Sequence, residues 1–313
     1  MRRQMEFITG QTFPRRCHSN KAMNTIRIIP RLDIKGPNLV KGIHLEGLRV
    51  LGKPEHFARY YYENGADELF YMDVVASLYG RNSLLEIISK TAKEIFIPLT
   101  VGGGLRTLED IRTVLHAGAD KVSINTAVVR HPEFIKEAAK RFGSSTIVIS
   151  IEAIRQNDGR YLAFTDNGRE HTNKDVFEWA REVEALGAGE IMLTSVDREG
   201  TGLGYDLELT KKVATSVTIP VIACGGAGKL EHIKDVITQG KADAVSMVSL
   251  LHYDFIQRRK IEADYAGEGN IEFLKTGGTF TRIQPTNLST VKSFLLANHI
   301  VCRPSLKGEL ISA

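Results

Sequence analysis

Three short segments recur in the same order along the chain, and this internal repeat constrains the fold more than any other sequence feature. Each copy is displaced by 122 or 123 residues: Gly65–Leu69 with Gly187–Ile191, Val101–Gly104 with Cys224–Ala227, and Gly118–Ser123 with Gly240–Ser246, which has one inserted residue. Three matches at one displacement are hard to obtain by chance. They divide the chain into two similar halves, roughly 27–125 and 146–249.

From Arg27 onward, β-rich runs alternate with amphipathic helical segments, which is typical of a parallel sheet. Eight runs are predicted strands: Arg27–Ile34, Glu68–Val74, Ile97–Val101, Lys121–Asn125, Thr146–Glu152, Glu190–Thr194, Pro220–Cys224 and Ala244–Val248. A length of 313 residues fits two ordinary domains or one α/β barrel. Eight strands with eight crossovers favour the barrel, so the predicted fold is α/β, a (β/α)8 TIM barrel built from two duplicated half-barrels.

The predicted organisation has three parts. Residues 1–24 form a disordered or extended N-terminal leader, although its arginines and near absence of acids would also suit a transit peptide. Residues 25–256 form the barrel. Residues 257–313 form a C-terminal extension, which is expected to be helical around Ser289–Ala297 and to pack on the barrel.

Charge and cysteine usage exclude several classes of protein. The formal net charge of +4 lies entirely within residues 1–24, so the folded part is neutral and no nucleic-acid partner is expected. The three cysteines are far apart, and the histidines show no ligand spacing, so we expect no metal, no cofactor and a reducing, cytoplasmic compartment. Apolar runs fall far short of the roughly 20 residues that a membrane span requires, so the chain is expected to be soluble, without a membrane partner.

The repeated glycines follow the predicted third and seventh strands, where active sites of such barrels lie. Glycine lets backbone N–H groups approach an anion closely, although one such run alone would equally suit a tight turn. Because polar residues accompany both runs, each half has the parts of a phosphate site, and the predicted substrate carries phosphate at both ends. These candidate residues are Gly102, Gly103, Gly104, Asn125 and Thr126 in the first half, and Gly225, Gly226, Gly228 and Ser249 in the second.

A carboxylate ends the first strand of each half, Asp33 and Glu152. Two acids that face each other across a barrel mouth can divide general-acid and general-base roles. The alternative is that Asp33 caps a loop and Glu152 is solvated or paired. Asp73, Asp197 and Glu199 also lie at strand ends and could contact substrate hydroxyls.

Charged residues stand at the opposite, amino-terminal ends of four predicted strands: Arg27, Glu68, Lys121 and Glu190. Two cations and two anions at inward-pointing positions could close the barrel floor as a ring of ion pairs. An ordinary solvated rim is the alternative, since exposed ion pairs are common and weak.

Together these residues resemble one family, the cyclase subunit of imidazole glycerol phosphate synthase, over about residues 25–256. The segments that carry the resemblance are Arg27–Lys35, Val40–Gly42, Val101–Gly104, Gly118–Thr126, Gly187–Glu190, Thr194–Asp197, Glu199–Gly200 and Gly225–Lys229. The family is a (β/α)8 barrel that pairs with a glutaminase and receives ammonia through the barrel. It uses ammonia to cleave and cyclise a bisphosphate-like substrate, PRFAR, to imidazole glycerol phosphate and an aminoimidazole carboxamide ribotide.

By this resemblance, Asp33 and Glu152 are the two acid/base catalysts, and Lys41, Glu199 and Gly200 bind substrate. Arg27, Glu68, Lys121 and Glu190 correspond to the ammonia gate, which favours the ring over the solvated rim. The implied partners are a HisH-like glutaminase subunit, as a heterodimer, and a phosphorylated small-molecule substrate.

The chain departs from the family pattern at three positions. Arg31 stands where the family more often has a small residue or cysteine, and Glu152 and Glu199 each stand where the family normally has aspartate. One extra methylene moves a carboxylate by about 1 Å, and such a misplacement can cost on the order of 100-fold in rate.

Three functions follow as hypotheses. The first is the ammonia-dependent cyclase of histidine synthesis. The second is a paralogue that channels glutaminase-derived ammonia to a sugar amidotransferase in surface-polysaccharide synthesis, which the three departures and the tail favour. The third is a non-catalytic scaffold for the glutaminase, against which the intact glycine runs argue.

Overall fold

The computed structural model describes residues 25–76, 84–258 and 282–305. The predicted leader, residues 1–24, lies outside the described residues, as do 259–281 and 306–313 of the predicted C-terminal extension. Within the described part, no helix is both long enough and apolar enough to cross a membrane.

The described chain alternates strands with helices along most of its length. The strands are β1 Arg27–Lys35, β2 Asn38–Ile43, β3 Glu46–Gly52, β4 Leu69–Asp73, β5 Leu99–Gly102, β6 Lys121–Ile124, β7 Ile147–Arg155, β8 Tyr161–Thr165, β9 Glu170–Asp175, β10 Glu190–Ser195, β11 Val221–Cys224 and β12 Ala244–Met247. The helices are α1 Pro54–Glu63, α2 Leu85–Ala92, α3 Leu108–His116, α4 Thr126–Arg130, α5 Glu133–Phe142, α6 Val176–Ala185, α7 Leu207–Ser216, α8 Leu230–Thr238, α9 Ser249–Arg258 and α10 Leu288–Ala297.

Eight parallel strands form a closed barrel in the order β1, β4, β5, β6, β7, β10, β11 and β12. The two half-barrels join where β6 pairs with β7, Val122 opposite Ile147, and where β12 pairs with β1, Ala244 opposite Arg27. This ring of parallel pairs confirms the predicted (β/α)8 barrel, and the predicted strands all lie in it.

Four antiparallel strands were not predicted. β2 and β3 fold back from β1, and β8 and β9 fold back from β7, so the first strand of each half continues into a small antiparallel sheet. β2 and β3 mix charged and apolar residues, β8 has no charged residue, and β9 has no apolar residue, so strict alternation marks none of the four and periodicity did not find them. Both extensions lie at the carboxyl ends of the barrel strands.

The repeated Gly-Ala-Asp motif has a common role at the amino-terminal end of the barrel. In three copies the aspartate side chain accepts a hydrogen bond from the N–H of a residue at the start of the preceding barrel strand, whose carbonyl in turn accepts from the aspartate N–H. These pairs are Asp67 with Ile28, Asp120 with Leu99, and Asp243 with Val221, at 2.8, 2.8 and 2.9 Å. In the fourth copy the position is Gly189, where a Cβ would lie 2.1 Å from the Ser144 carbonyl oxygen.

Side chains of β1 alternate between the two faces of the barrel wall, as a closed sheet requires. Ile29 packs inside the barrel with apolar residues of the other strands, whereas Ile28 and Leu32 pack outside, beneath the helices. The same parity sends Arg27, Arg31 and Asp33 toward the interior. The inner apolar layer comprises Ile29, Phe70, Val148, Met192, Ile222, Cys224 and Ala244.

Residues 282–305 cross the barrel from its carboxyl-terminal to its amino-terminal end. The Gln284 N–H donates to the Gly228 carbonyl, and near the other end the Ile26 N–H donates to the Val301 carbonyl. Asn287 caps the start of α10, which places the fully buried Lys292 against Asp67 with an Nζ–Oδ1 distance of 2.7 Å. Arg303 contacts the same carboxylate oxygen at 2.9 Å.

We expect Asp67→Ala to lower the free energy of unfolding by about 3 to 5 kcal/mol, because it leaves the buried Lys292 ammonium without its partner carboxylate. Urea unfolding followed by Trp179 fluorescence measures the change. The double variant Asp67→Ala/Lys292→Met should regain much of the loss. As a control, Glu63→Ala breaks an exposed pair with Arg59 and should cost less than about 1 kcal/mol, so equal losses in Asp67→Ala and Glu63→Ala would contradict this account.

Candidate active site

The four charged residues at the amino-terminal end of the barrel form a closed ring of ion pairs. Arg27 contacts Glu68 and Glu190, each at 2.8 Å, and Lys121 contacts the same two carboxylates at 3.0 and 3.1 Å. Thr100 donates a further hydrogen bond to Glu68 at 2.5 Å. Glu68 is 1% exposed and the other three side chains are between 12% and 26% exposed, so the ring is partly accessible to solvent, and every charge in it contacts two opposite charges. We call these four residues the charged ring.

Arg31 lies inside the barrel, beyond the apolar layer that covers the charged ring. Its Nε donates to Asp33 Oδ1 at 2.8 Å, and its Nη1 lies 3.4 Å from Thr194 Oγ1 on the opposite half-barrel. Burial by itself lowers the pKa of the guanidinium, but Asp33, Cys224 and Glu199 together outweigh burial, so the pKa of Arg31 is raised and the group stays charged. Arg31 and Asp33 are therefore a buried ion pair within the barrel.

A cavity of about 670 Å³ opens at the carboxyl ends of β4 to β7. Among the predicted site residues it brings together Gly103, Gly104, Asn125, Thr126 and Glu152. Gly102, the last residue of β5, lies just before Gly103 and Gly104, which we call the first glycine loop. Gly103 has φ +105°, and a Cβ there would lie 2.4 Å from the Asp73 carbonyl oxygen, so only glycine fits this turn.

The second glycine loop is much less open. Glu199, Gly200, Gly225, Gly226 and Ser249 line a pocket of only about 10 Å³. Gly228 lies beyond it, where its N–H donates to His232 Nδ1 and its carbonyl accepts from Gln284. The first glycine loop thus borders a much larger cavity than the second glycine loop does.

Lys41 does not reach the large cavity. Its ammonium contacts both carboxylate oxygens of Glu199, at 2.6 and 2.7 Å, and also the Gly42 carbonyl. Lys41 and Glu199 are 3% and 2% exposed, so this is a buried ion pair. It ties β2 to the loop after β10, beside the second glycine loop.

Glu152 reaches the large cavity from the end of β7 and has a perturbed pKa. Burial raises the pKa of this carboxyl to about 7, although the Gly168 N–H, the Arg31 charge and the Asn125 side chain oppose the shift. The Gly168 N–H donates to Glu152 Oε2 at 2.7 Å and fixes its orientation. A carboxyl with this pKa can donate a proton at neutral pH.

The turn between β8 and β9 was missed in the sequence analysis. Asp166, Asn167 and Gly168 all have positive φ, +53°, +63° and +78°, and the last of them holds Glu152. Asn167 Nδ2 also donates to the Leu45 carbonyl at 3.0 Å, which links the turn to the loop between β2 and β3. The sequence Asp-Asn-Gly is a strong hairpin-turn signal, so this element could have been found from local turn chemistry.

We expect Glu152→Gln to stabilise the protein relative to wild type by roughly 2 to 3 kcal/mol more at pH 8 than at pH 5. Because folding raises the pKa of Glu152, its favourable contribution is complete at low pH and is lost as the pH rises toward about 7. Glutamine does not titrate and keeps an oxygen for the Gly168 N–H. Urea unfolding at both pH values measures the difference. The exposed Glu133→Gln is the control, and an equal pH response in the two variants would contradict a raised pKa at Glu152.

Comparison with known proteins agrees with this geometry. The family model described as "Histidine biosynthesis protein" matches residues 27–257, which is most of the barrel. The chain is 61% identical over 210 residues to the protein named imidazole glycerol phosphate synthase subunit HisF of Legionella pneumophila, and the alignment covers 67% of this chain and 99% of that relative. The chain therefore belongs to the histidine biosynthesis protein family and is a HisF-like (β/α)8 barrel.

Proposed function

We propose that the protein is the cyclase subunit of an imidazole glycerol phosphate synthase, which uses ammonia to cleave and cyclise PRFAR. The observation that carries this proposal is that the first glycine loop, Asn125, Thr126 and Glu152 all line the same cavity. Backbone N–H groups and polar side chains suit a phosphate group, and the nearby carboxyl suits proton transfer to the ring that forms.

The two candidate acids differ in their surroundings, which supports a division of roles. Asp33 lies against the Arg31 guanidinium inside the barrel, with 2.8 Å between Arg31 Nε and Asp33 Oδ1. Glu152 lies in a buried site that raises its pKa to about 7, so part of the population is protonated at neutral pH and can donate. In this scheme Asp33 is the general base and Glu152 the general acid.

We further propose that ammonia enters through the charged ring from a glutaminase docked on the amino-terminal end of the barrel. The relative's name describes it as a subunit of a synthase, and the ring occupies the centre of this end. Phe96, just before β5, is 80% exposed, and Val301, beside the start of β1, is 46% exposed. Exposed apolar side chains at this end of the barrel suit a protein partner.

A second candidate function has a specific observation in its favour. The Lys41–Glu199 pair lies beside the second glycine loop, where a pocket of only about 10 Å³ leaves little space for the second phosphate of the expected substrate. A barrel that passes ammonia to a sugar amidotransferase would not need Asp33 or Glu152 to act on PRFAR. In that case the charged ring would matter and the cyclase acids would be dispensable.

We expect purified protein to turn over PRFAR with added ammonium salt and no partner, and Asp33→Asn to lower kcat at least 100-fold because the proton acceptor is lost. Product formation measured by absorbance tests this. Glu152→Asp serves as the matched variant, since it restores the shorter acid. An inert wild type, together with activity in Glu152→Asp, would reject the cyclase and favour ammonia supply to another acceptor.

We expect Lys121→Met to change glutamine-dependent turnover in the complex with its glutaminase at least tenfold, while turnover with added ammonium salt changes less than twofold. The substitution removes two of the four ion pairs of the charged ring but lies far from Glu152 at the other end of the barrel. Steady-state assays with each nitrogen source measure the split. Arg59→Met, at an exposed ion pair, is the control. Parallel loss with both nitrogen sources would argue against a role for the ring in ammonia entry.

A further inference from the structure

Arg130 stands at the rim of the large cavity, one turn beyond Thr126, and neither composition nor the repeat singled it out. Its side chain is 64% exposed, and its Nη2 lies 3.2 Å from Asp166 Oδ2. A mostly exposed guanidinium at the edge of a phosphate-sized cavity can exchange one anionic partner for another at little cost, because water already solvates it.

Asp166 holds two groups of the cavity wall at once. Besides Arg130, it accepts a hydrogen bond from the Thr126 hydroxyl at 3.4 Å, and its own N–H donates to that hydroxyl oxygen at 3.3 Å. Its side chain is only 9% exposed. The carboxylate therefore contacts both the guanidinium and the hydroxyl that this part of the cavity wall carries.

The same residue belongs to the turn that holds Glu152. Asp166 and Asn167 are in the left-handed region, which aspartate and asparagine tolerate in tight turns. Two residues later, the Gly168 N–H donates to Glu152 Oε2. The contacts of Asp166 with Arg130 and Thr126 are among those that hold this turn in place.

We propose that Arg130 is a further phosphate-binding residue and that Asp166 is a positioning residue that couples phosphate occupancy to Glu152. A phosphomonoester in the first glycine loop draws Arg130 and the Thr126 hydroxyl away from Asp166. The turn then loses two of its contacts, and the Gly168 N–H adjusts against the Glu152 carboxyl. This inference rests on the proposed phosphate-binding cavity and adds to it a link from the phosphate to the acid.

The charge of Asp166 also acts on the Glu152 carboxyl, which supports the coupling between the two residues. Two charged groups influence the Glu152 carboxyl, the Arg31 guanidinium from β1 and the Asp166 carboxylate from the turn. Burial is the main cause that raises the pKa of Glu152; Asp166 adds to that rise and Arg31 opposes it. A change at Asp166 therefore reaches Glu152 through charge as well as through the turn.

The test measures binding of inorganic phosphate to the full-length purified protein by calorimetry, so it does not depend on turnover. We expect Arg130→Gln to weaken phosphate binding about tenfold, the loss of one charge-assisted hydrogen bond, and Arg130→Lys to retain part of the affinity. Arg112→Gln, at an exposed arginine paired with Glu109, is the matched control and should bind phosphate as wild type does.

Asp166→Asn tests the link to Glu152. Asparagine tolerates the left-handed conformation, so the turn is kept while the competing charge is removed. We expect tighter phosphate binding by threefold or more, and a lower pKa of the Glu152 carboxyl in carbon NMR titration. Wild-type affinity in Arg130→Gln, or an unchanged Glu152 pKa in Asp166→Asn, would overturn the coupling and leave the proposed cyclase site intact. If wild type itself binds no phosphate, the cavity proposed for substrate is wrong as well.

Discussion

Closure of the sheet governs the rest of this molecule, because eight strands paired in a ring enclose only a narrow interior. The pairing of β7 with β10 closes the ring of strands. Every second side chain of each barrel strand then points into the interior, where it must pack against the other inward side chains or form a polar contact with one of them. The apolar layer around Ile29 and Phe70 fills the middle. Charges that the parity of the strands directs inward are accepted only in pairs, since an unpaired buried charge is costly. The charged ring and the Arg31–Asp33 pair both follow from this constraint.

The two halves share their supporting structure but not their chemistry. Aspartates of the repeated motif hold three strand starts in the same way, and the first strand of each half extends into an antiparallel sheet. At the opposite end the symmetry is lost, because the first glycine loop faces a cavity of about 670 Å³ and the second faces about 10 Å³. The repeat thus retains the contacts that hold the strand starts, whereas the pair of Lys41 with Glu199 and the contact of Gln284 with Gly228 occur at the second loop.

The carboxyl of Glu152 is held by the neighbouring turn. Glutamate carries its carboxyl about one methylene farther than aspartate, yet the Gly168 N–H fixes one of its oxygens at 2.7 Å. Burial then raises the pKa of Glu152 to about 7, whereas Asp33 remains beside a guanidinium. The carboxyls that end the first strands of the two halves therefore have different surroundings, and the difference comes from their neighbours rather than from the repeat.

The sequence by itself determined the barrel, its division into two halves, the glycine loops and the inward carboxylates, because periodicity and repetition encode which face of each element is buried. It did not predict the four antiparallel strands, none of which alternates strictly. Only the tertiary structure decided that Lys41 pairs with Glu199, 158 residues away, and that Arg31 reaches Thr194 across the barrel. It also decided that Asp166 lies between Arg130 and the turn that holds Glu152. Such contacts join segments that are far apart in the sequence and come together only when the ring of strands closes. Local sequence patterns therefore do not predict them.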